Sequence, residues 1–389
     1  MENRKNVNGN KLSRRAFLRK TSLAAAAAAG MAAGTQSASA QASKINDTSK
    51  ILNYDPRMGY RRLGRTGLMI SEVALGGHWI NRNGDRYWDE FVNDDVPPDV
   101  ANNRIEVINA CIEAGINYLD IGTSAECLAY GVALKGQRDK MIIAADDYKL
   151  TARRAENCNV DKLTFDIDQC LRRLRTDYLD IWRVKADMYG RSTDSHIEAI
   201  IETFHKARRA GKVKHLAVSS HRRPWLQHVI QTFPQVEIVS FPCSATTKEK
   251  GKPAARNNVE EVNAGYGADT EQSIFEIVRK LNIGIVGTKP FLGGSLFKIK
   301  RKFPVSDAGD KQQHNLARLT LQCILANDAV TTTIPGLTTV HEVRNAVRAS
   351  YSRRTPPTAA EKDWLIRVTQ SRWQTLPPQY AWLRDWQVV

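Results

Sequence analysis

From about residue 72 to residue 347, short apolar runs alternate with longer stretches of helical periodicity. Strand-like runs fall at Glu72–Leu75, Tyr118–Asp120, Met141–Ala144, Leu179–Val184, His215–Val218, Ile238–Phe241, Ile283–Gly287 and Thr331–Ile334. Amphipathic periods fill Asn103–Ala114, Asp161–Leu174, Ser195–Ala210, Thr270–Leu281 and Asn315–Leu325. Eight short strands, each followed by a crossover of helical length, predict a parallel (β/α)8 TIM barrel over an open doubly wound sheet. Ahead of it, Tyr60–Leu68 predicts a short hairpin with glycine turns. Two irregular inserts, 81–99 and 245–268, leave strands 1 and 6 at the C-terminal rim, where loops serve as lids and walls. A last stretch, 351–389, carries Trp364, Trp373, Trp382 and Trp386 and reads as an extension docked on the barrel by its tryptophans, or with some of them walling the substrate cleft.

The N-terminus changes this picture. Ser13-Arg14-Arg15-Ala16-Phe17-Leu18-Arg19, an alanine-rich run to Ala33 and Ala38-Ser39-Ala40 have the order of a cleavable twin-arginine signal. The apolar run is short for a membrane span, so no stable span is expected after cleavage. The expected organisation is a signal over 1–40, a linker over 41–57, a barrel over 58–350 and the extension over 351–389. The twin-arginine translocase is then a transient partner, and the protein is expected to be exported or periplasmic.

Charge and cysteines narrow the function classes. The formal charge of +16 includes seven Lys/Arg against one Glu within residues 1–40, so the remainder carries +10. The basic residues are scattered and no recognition module accompanies them, which argues against nucleic acid as a partner. Six cysteines at irregular spacing, without a C-x-x-C, give no zinc or cluster motif. No metal site is expected.

The chemistry-bearing residues lie where the strands end. In a barrel of this kind the C-terminal strand ends converge on one mouth. His78 follows strand 1, Asp120 strand 2, Asp146 strand 3, Lys185 strand 4, Ser219 and His221 strand 5, Ser240 strand 6 and Lys289 strand 7. A lysine among carboxylates can move protons if burial tunes it, or simply fill space as an ion pair with Asp146. The candidate catalytic set is therefore Asp120, Asp146, Lys185, His221 and His78.

Several segments, in order, resemble aldo-keto reductases: Tyr60-Arg61-Arg62-Leu63-Gly64-Arg65-Thr66-Gly67, Ala114-Gly115-Ile116-Asn117-Tyr118-Leu119-Asp120, Asp177-Tyr178-Leu179-Asp180, Gly211-Lys212-Val213-Lys214-His215, Thr288-Lys289-Pro290-Phe291 and Ile334-Pro335-Gly336. The resemblance implies a (β/α)8 barrel and hydride transfer between a nicotinamide cofactor and a carbonyl. It places the family's catalytic aspartate on Asp120, its tyrosine on Ala125, its lysine on Asp146 and its histidine on Lys185. Three of four positions thus carry other side chains. For the cofactor, NADP or NAD, it points to Ser219, Ser220, Ser240, Thr288, Lys289, Gly336 and Asn345. The basic residue for the 2′-phosphate falls near Thr338, and the adenine-binding asparagine falls on Ala346, one past Asn345.

The expected function is an exported oxidoreductase acting on a carbonyl or sugar-type small molecule with a non-standard acid/base set. A cofactor-free lyase or isomerase on a keto-sugar, and a catalytically inactive binding barrel, are the alternatives.

Overall fold

The structure is a computed structural model that describes residues 47–77, 91, 94–146, 152, 155–186, 192–248, 272–297, 311–352 and 355–386. The expected signal, His78 and most of both rim inserts lie outside the described residues.

Strands β1 (Tyr60–Arg62) and β2 (Met69–Ser71) form an antiparallel hairpin, pairing Tyr60 with Ser71. The hairpin extends past the expected Leu68, because a helical turn at Gly64–Thr66 and a left-handed Gly67 occupy its tip. Seven parallel strands follow in chain order: β3 (Tyr118–Ile121), β4 (Ile142–Ala145), β5 (Leu179–Lys185), β6 (Val213–Ser219), β7 (Ile238–Pro242), β8 (Gly284–Thr288) and β9 (Thr332–Thr333).

The segment after β2 closes the sheet as its eighth stave. Val73 bridges Thr333 on one side and Leu75 bridges Leu119 on the other, both in parallel. The Ala74 N–H donates to Thr333 O at 3.0 Å, and Leu75 N–H to Tyr118 O at 3.0 Å. Gly76 then pairs with Gly336, and any Cβ at residue 76 would stand 2.5 Å from the Ile334 carbonyl oxygen. Only glycine allows the two backbones so close.

Alternation along the strands divides the apolar residues between two cores. Leu63, Ile70, Ala74, Tyr118, Ile142, Ala144, Ile181, Ala217, Ile238 and Val286 form one cluster, which fills the barrel interior with the hairpin as its floor. Their neighbours Leu119, Ile143, Trp182, Val184, Leu216, Val218, Val239 and Ile285 join the larger cluster under the helices. Those helices are α1 (Pro98–Glu113), α2 (Ser124–Ala133), α3 (Val160–Leu174), α4 (Asp194–Arg209), α5 (Arg223–Thr232), α6 (Ile274–Leu281), α7 (Lys311–Leu325), α8 (Val340–Tyr351) and α9 (Ala359–Gln374). Side-chain caps start several of them: Thr123 accepts from Glu126 N, Asn159 from Lys162 N and Thr339 from Glu342 N.

Helix α9 and the helical turns Pro378–Trp386 pack on the C-terminal rim. Trp373 is buried with Leu292, Leu376, Tyr380 and Leu383, and its indole N–H donates to Thr246 Oγ1 at 3.0 Å. Among the described residues, no helix is long and apolar enough to cross a membrane.

Candidate active site

Period-two alternation brings Ile181, Arg183 and Lys185 of β5 to the interior face, with Arg183 and Lys185 above the apolar layer. Asp120 reaches the same level from β3 and Asp146 from the end of β4. All four side chains are buried. The Arg183 guanidinium pairs with Asp120 Oδ2 at 2.8 Å and donates from Nη2 to Ile121 O at 2.7 Å. Lys185 Nζ donates to Gly122 O at 2.6 Å, and the Lys185 backbone N–H donates to Asp146 Oδ2 at 3.1 Å. The structure thus brings together Asp120, Asp146 and Lys185, and adds Arg183, which the strand-end reading passed over. The alternation two residues back from Lys185 was the available signal.

The charges in this cluster hold one another. Burial pushes the Asp120 carboxyl above its usual range, with Arg183 and Lys185 pulling against that shift. Burial likewise raises Asp146, opposed first by Lys185 and then by Arg183. Burial works against the Arg183 charge, but Asp120 and Asp146 outweigh it and leave Arg183 more firmly protonated than usual. Behind Asp146 lies the buried Asp166 of α3, whose carboxyl favours the charged form of Asp146.

Two further residues shape the mouth. Glu126, buried on the first turn of α2, accepts the Gly122 N–H at 2.8 Å. Gly122 is therefore held at both ends, by Glu126 through its N–H and by Lys185 through its carbonyl. Ala125 is buried beside Glu126 on the same turn. Tyr130 lies further along α2 with its hydroxyl 3.5 Å from Arg104 Nη1, between α1 and α2 and away from the strand ends. Burial raises its phenol. Tyr118, inside the barrel and two residues before Asp120, keeps a buried hydroxyl without a hydrogen-bond partner among the described residues.

The residues assigned to a nucleotide fall along the other half of the rim. Ser219 pairs in register with Lys185 on one side and with Ser240 on the other. The Ser240 hydroxyl is buried and lacks a hydrogen-bond partner among the described residues. The Ser220 hydroxyl accepts the Arg222 N–H at 3.0 Å, which shapes the entry to α5. Thr288 ends β8, and Lys289 follows in a left-handed conformation with φ of 52°. His221 stacks on Trp382 of the C-terminal segment, ring centroids 3.4 Å apart and planes 16° apart. The Lys289 ammonium stands 5.7 Å over the same indole. Gly336 is tied to Gly76 at the barrel seam, and Asn345 sits half-buried on α8. At the start of that helix, both the N–H and the hydroxyl of Thr338 donate to Glu342 Oε2, each at 2.7 Å. Among the described residues, no group of three or more His, Cys, Asp or Glu could hold a metal ion.

Comparison with known proteins agrees with this architecture. An uncharacterized oxidoreductase of Bacillus subtilis, YqkF, is 23% identical over 314 residues, covering 76% of this chain and 92% of its own. L-galactose dehydrogenase of Arabidopsis thaliana is 21% identical over 312 residues, covering 74% of this chain and 87% of its own. An aldo-keto reductase from Klebsiella pneumoniae, solved in complex with NADPH, shares the fold. Its TM-score is 0.54 at 16% identity, over 80% of this chain and 95% of its own. The aldo/keto reductase family model matches residues 97–356, and the chain belongs to that family.

Proposed function

We propose that the protein is an exported oxidoreductase that interconverts a carbonyl and an alcohol on a sugar-type small molecule. It would use a nicotinamide cofactor and a buried lysine–carboxylate set in place of the family's tyrosine. The observation that carries this reading is the buried cluster of Asp120, Arg183, Lys185 and Asp146 at the mouth, beside Ser219 and Ser240.

The rim fits a nicotinamide group. Ser240 offers a buried hydroxyl with no hydrogen-bond partner among the described residues, and Ser219 stands next to it in register. Such an orphaned polar atom is costly unless something pairs with it. Ser219 and Ser240 would hold the carboxamide, and the bound cofactor would supply or accept the hydride. Similarity to a reductase solved with NADPH supports the cofactor class, and similarity to L-galactose dehydrogenase supports a sugar substrate. The adenosine end favours NAD. The donors at Thr338, where the resemblance puts the 2′-phosphate contact, are engaged by the Glu342 carboxylate. A phosphate there meets like charge, whereas a ribose hydroxyl can donate to it.

The chain's own residues would then divide the work. Ala125 carries no acid, so the proton for the substrate oxygen must come from elsewhere. Lys185 Nζ donates to Gly122 O at 2.6 Å, which holds its ammonium at the strand ends where a carbonyl oxygen would have to be protonated. Asp120 and Asp146 hold that ammonium in place electrostatically, and Arg183 fixes Asp120. A positioned acid of this kind contributes about 10²–10⁴-fold. Over residues 1–40, the Arg14-Arg15 pair would direct export through the twin-arginine translocase. Substitution of both arginines by lysine should leave the protein in the cytoplasm.

Native mass spectrometry of the folded protein, with titration by NAD, NADP and their reduced forms, tests the reading. Nucleotide binding at micromolar strength supports it. Absence of binding by every form overturns it in favour of cofactor-free proton transfer on a keto-sugar or of a catalytically inactive binding barrel.

A further inference from the structure

The family match ends at residue 356, and the segment that reaches back over the rim lies beyond it. That segment places one ring at a particular point. Trp382 lies face to face with the His221 imidazole at 3.4 Å, and the Lys289 ammonium stands 5.7 Å over its indole. His221 follows β6 and Lys289 follows β8, the two strands that flank Ser240 on β7. The indole therefore sits against the part of the rim that would hold a nucleotide.

The seat is built, and the strap is anchored to it. Lys289, Leu292, Gly293 and Gly294 all adopt left-handed backbone conformations, with φ of 52°, 52°, 65° and 89°. This turns the loop after β8 under the strap. A Cβ on Gly293 would stand 2.3 Å from Tyr380 Cζ, so the Tyr380 ring packs directly on the bare glycine. Leu292, Trp373, Leu376, Tyr380 and Leu383 complete a small apolar cluster beneath the strap. The Arg384 guanidinium donates to Trp373 O at 3.2 and 3.0 Å, tying the strap to the end of α9.

We propose that His221 and Lys289 form a seat for a planar heteroaromatic ring, filled here by the protein's own Trp382, and that a nicotinamide ring enters by displacing this indole. A flat ring stacks well on an imidazole, and a cation over its face adds electrostatic attraction. Stacking would serve an indole or a ligand ring that fits the same space, while the ammonium favours an electron-rich or neutral ring, the reduced nicotinamide over its positively charged oxidised form. The C-terminal strap then sets nucleotide affinity from within the same chain, since a ligand that must displace it binds more weakly by the fraction of time the seat is open. The second half of this proposal rests on the nicotinamide reading above; the seat itself does not.

The test uses the full mature chain with Trp382→Ala, and Trp382→Leu, which keeps apolar bulk for the strap while removing the planar ring. Calorimetric titration with free indole reads the seat, and titration with NADH and NADPH reads the competition. Indole should bind Trp382→Ala and not the wild type, and the added change His221→Ala should abolish that binding. Either reduced nucleotide should bind both Trp382 variants at least tenfold more tightly than the wild type. Indole binding without any nucleotide binding supports the seat and overturns the nicotinamide reading. No indole binding by a folded Trp382→Ala protein overturns the seat. Nucleotide affinity equal to the wild type in both variants overturns displacement and leaves the nicotinamide reading standing.

Discussion

The carboxylate of Asp120 and the guanidinium of Arg183 meet at 2.8 Å inside the barrel, directly above an apolar layer that includes Tyr118 and Ile181. Neither charge could stay buried there alone, because desolvation of an unpaired ion costs several kcal/mol. Removing one partner strands the other. Arg183→Met and Asp120→Asn should each destabilise the fold by about 3–5 kcal/mol in urea denaturation. The double variant should lose clearly less than the sum, because it leaves no stranded charge. Additive losses would mean the two groups do not support one another.

The proposed acid role of Lys185, whose ammonium donates to Gly122 O at 2.6 Å, separates from a space-filling one by turnover. Lys185→Met should lower kcat by about 10²–10⁴-fold. Nucleotide affinity should stay within about threefold of the wild type, because the Ser219 and Ser240 hydroxyls are untouched. A variant with full turnover would remove Lys185 from the acid role.

Much of this was legible in the chain itself. All eight staves lie within a few residues of the apolar runs that predict them, because strands buried on both faces read as short continuous apolar segments. Helix α2 was harder to see. Its residues, from Ala125 to Ala133, are nearly all buried, so it has no polar face to give a helical period. At the site, the strand-end rule reached Asp120, Asp146 and Lys185, since being last on a strand is a property of sequence. Arg183 sits two residues deeper, in a stretch that reads as strand core, and its partner Asp120 is far away in the chain. Glu126 and Asp166 were hidden for a related reason: each looks like an ordinary polar helix residue until the barrel brings it against the strands. The C-terminal tryptophans could be read only as a group, docking on the barrel or walling the cleft; the return of the strap over the rim is what puts Trp382 on His221.

Glu342 gives a test of nucleotide choice. Its carboxylate accepts two hydrogen bonds from Thr338 at 2.7 Å, at the start of α8, where a helix N-terminus would otherwise favour an anion. Glu342→Gln should tighten NADPH binding relative to NADH by about tenfold, roughly the value of removing one like charge and freeing a donor. An unchanged ratio would show that the 2′ position of the ribose lies elsewhere.

The outer end of the barrel carries an acid-sensitive pair. His215 Nδ1 lies 3.0 Å from Glu237 Oε2, between β6 and the turn into β7. Burial pushes the Glu237 carboxyl up, but the hydrogen bond and charge of His215 outweigh it and hold Glu237 below its ordinary 4.5. A depressed carboxyl contributes stability above its unfolded value and loses it as pH falls through the folded one. Glu237→Gln should therefore be less stable than the wild type at pH 6, with the difference shrinking below pH 4.5 in parallel denaturation curves. A difference that stays constant down to pH 3 would assign the effect to packing.

Gly293 and its neighbour offer a controlled test of how the strap is held. Both have left-handed backbones, with φ of 65° at Gly293 and 89° at Gly294, so alanine at either site carries a strain of about 1–2 kcal/mol. They differ in surroundings. A Cβ at Gly293 would lie 2.3 Å from Tyr380 Cζ, whereas one at Gly294 meets nothing within 4 Å. Gly294→Ala should thus show the strain alone, as a small drop in thermal midpoint. Gly293→Ala should add displacement of the Tyr380 ring, and with it the strap that carries Trp382. Acrylamide quenching of tryptophan emission should rise in Gly293→Ala and not in Gly294→Ala, while far-ultraviolet circular dichroism stays unchanged in both. Equal quenching in the two variants would mean that the strap is held by Trp373 and Leu383 alone, and that the glycine serves only the turn.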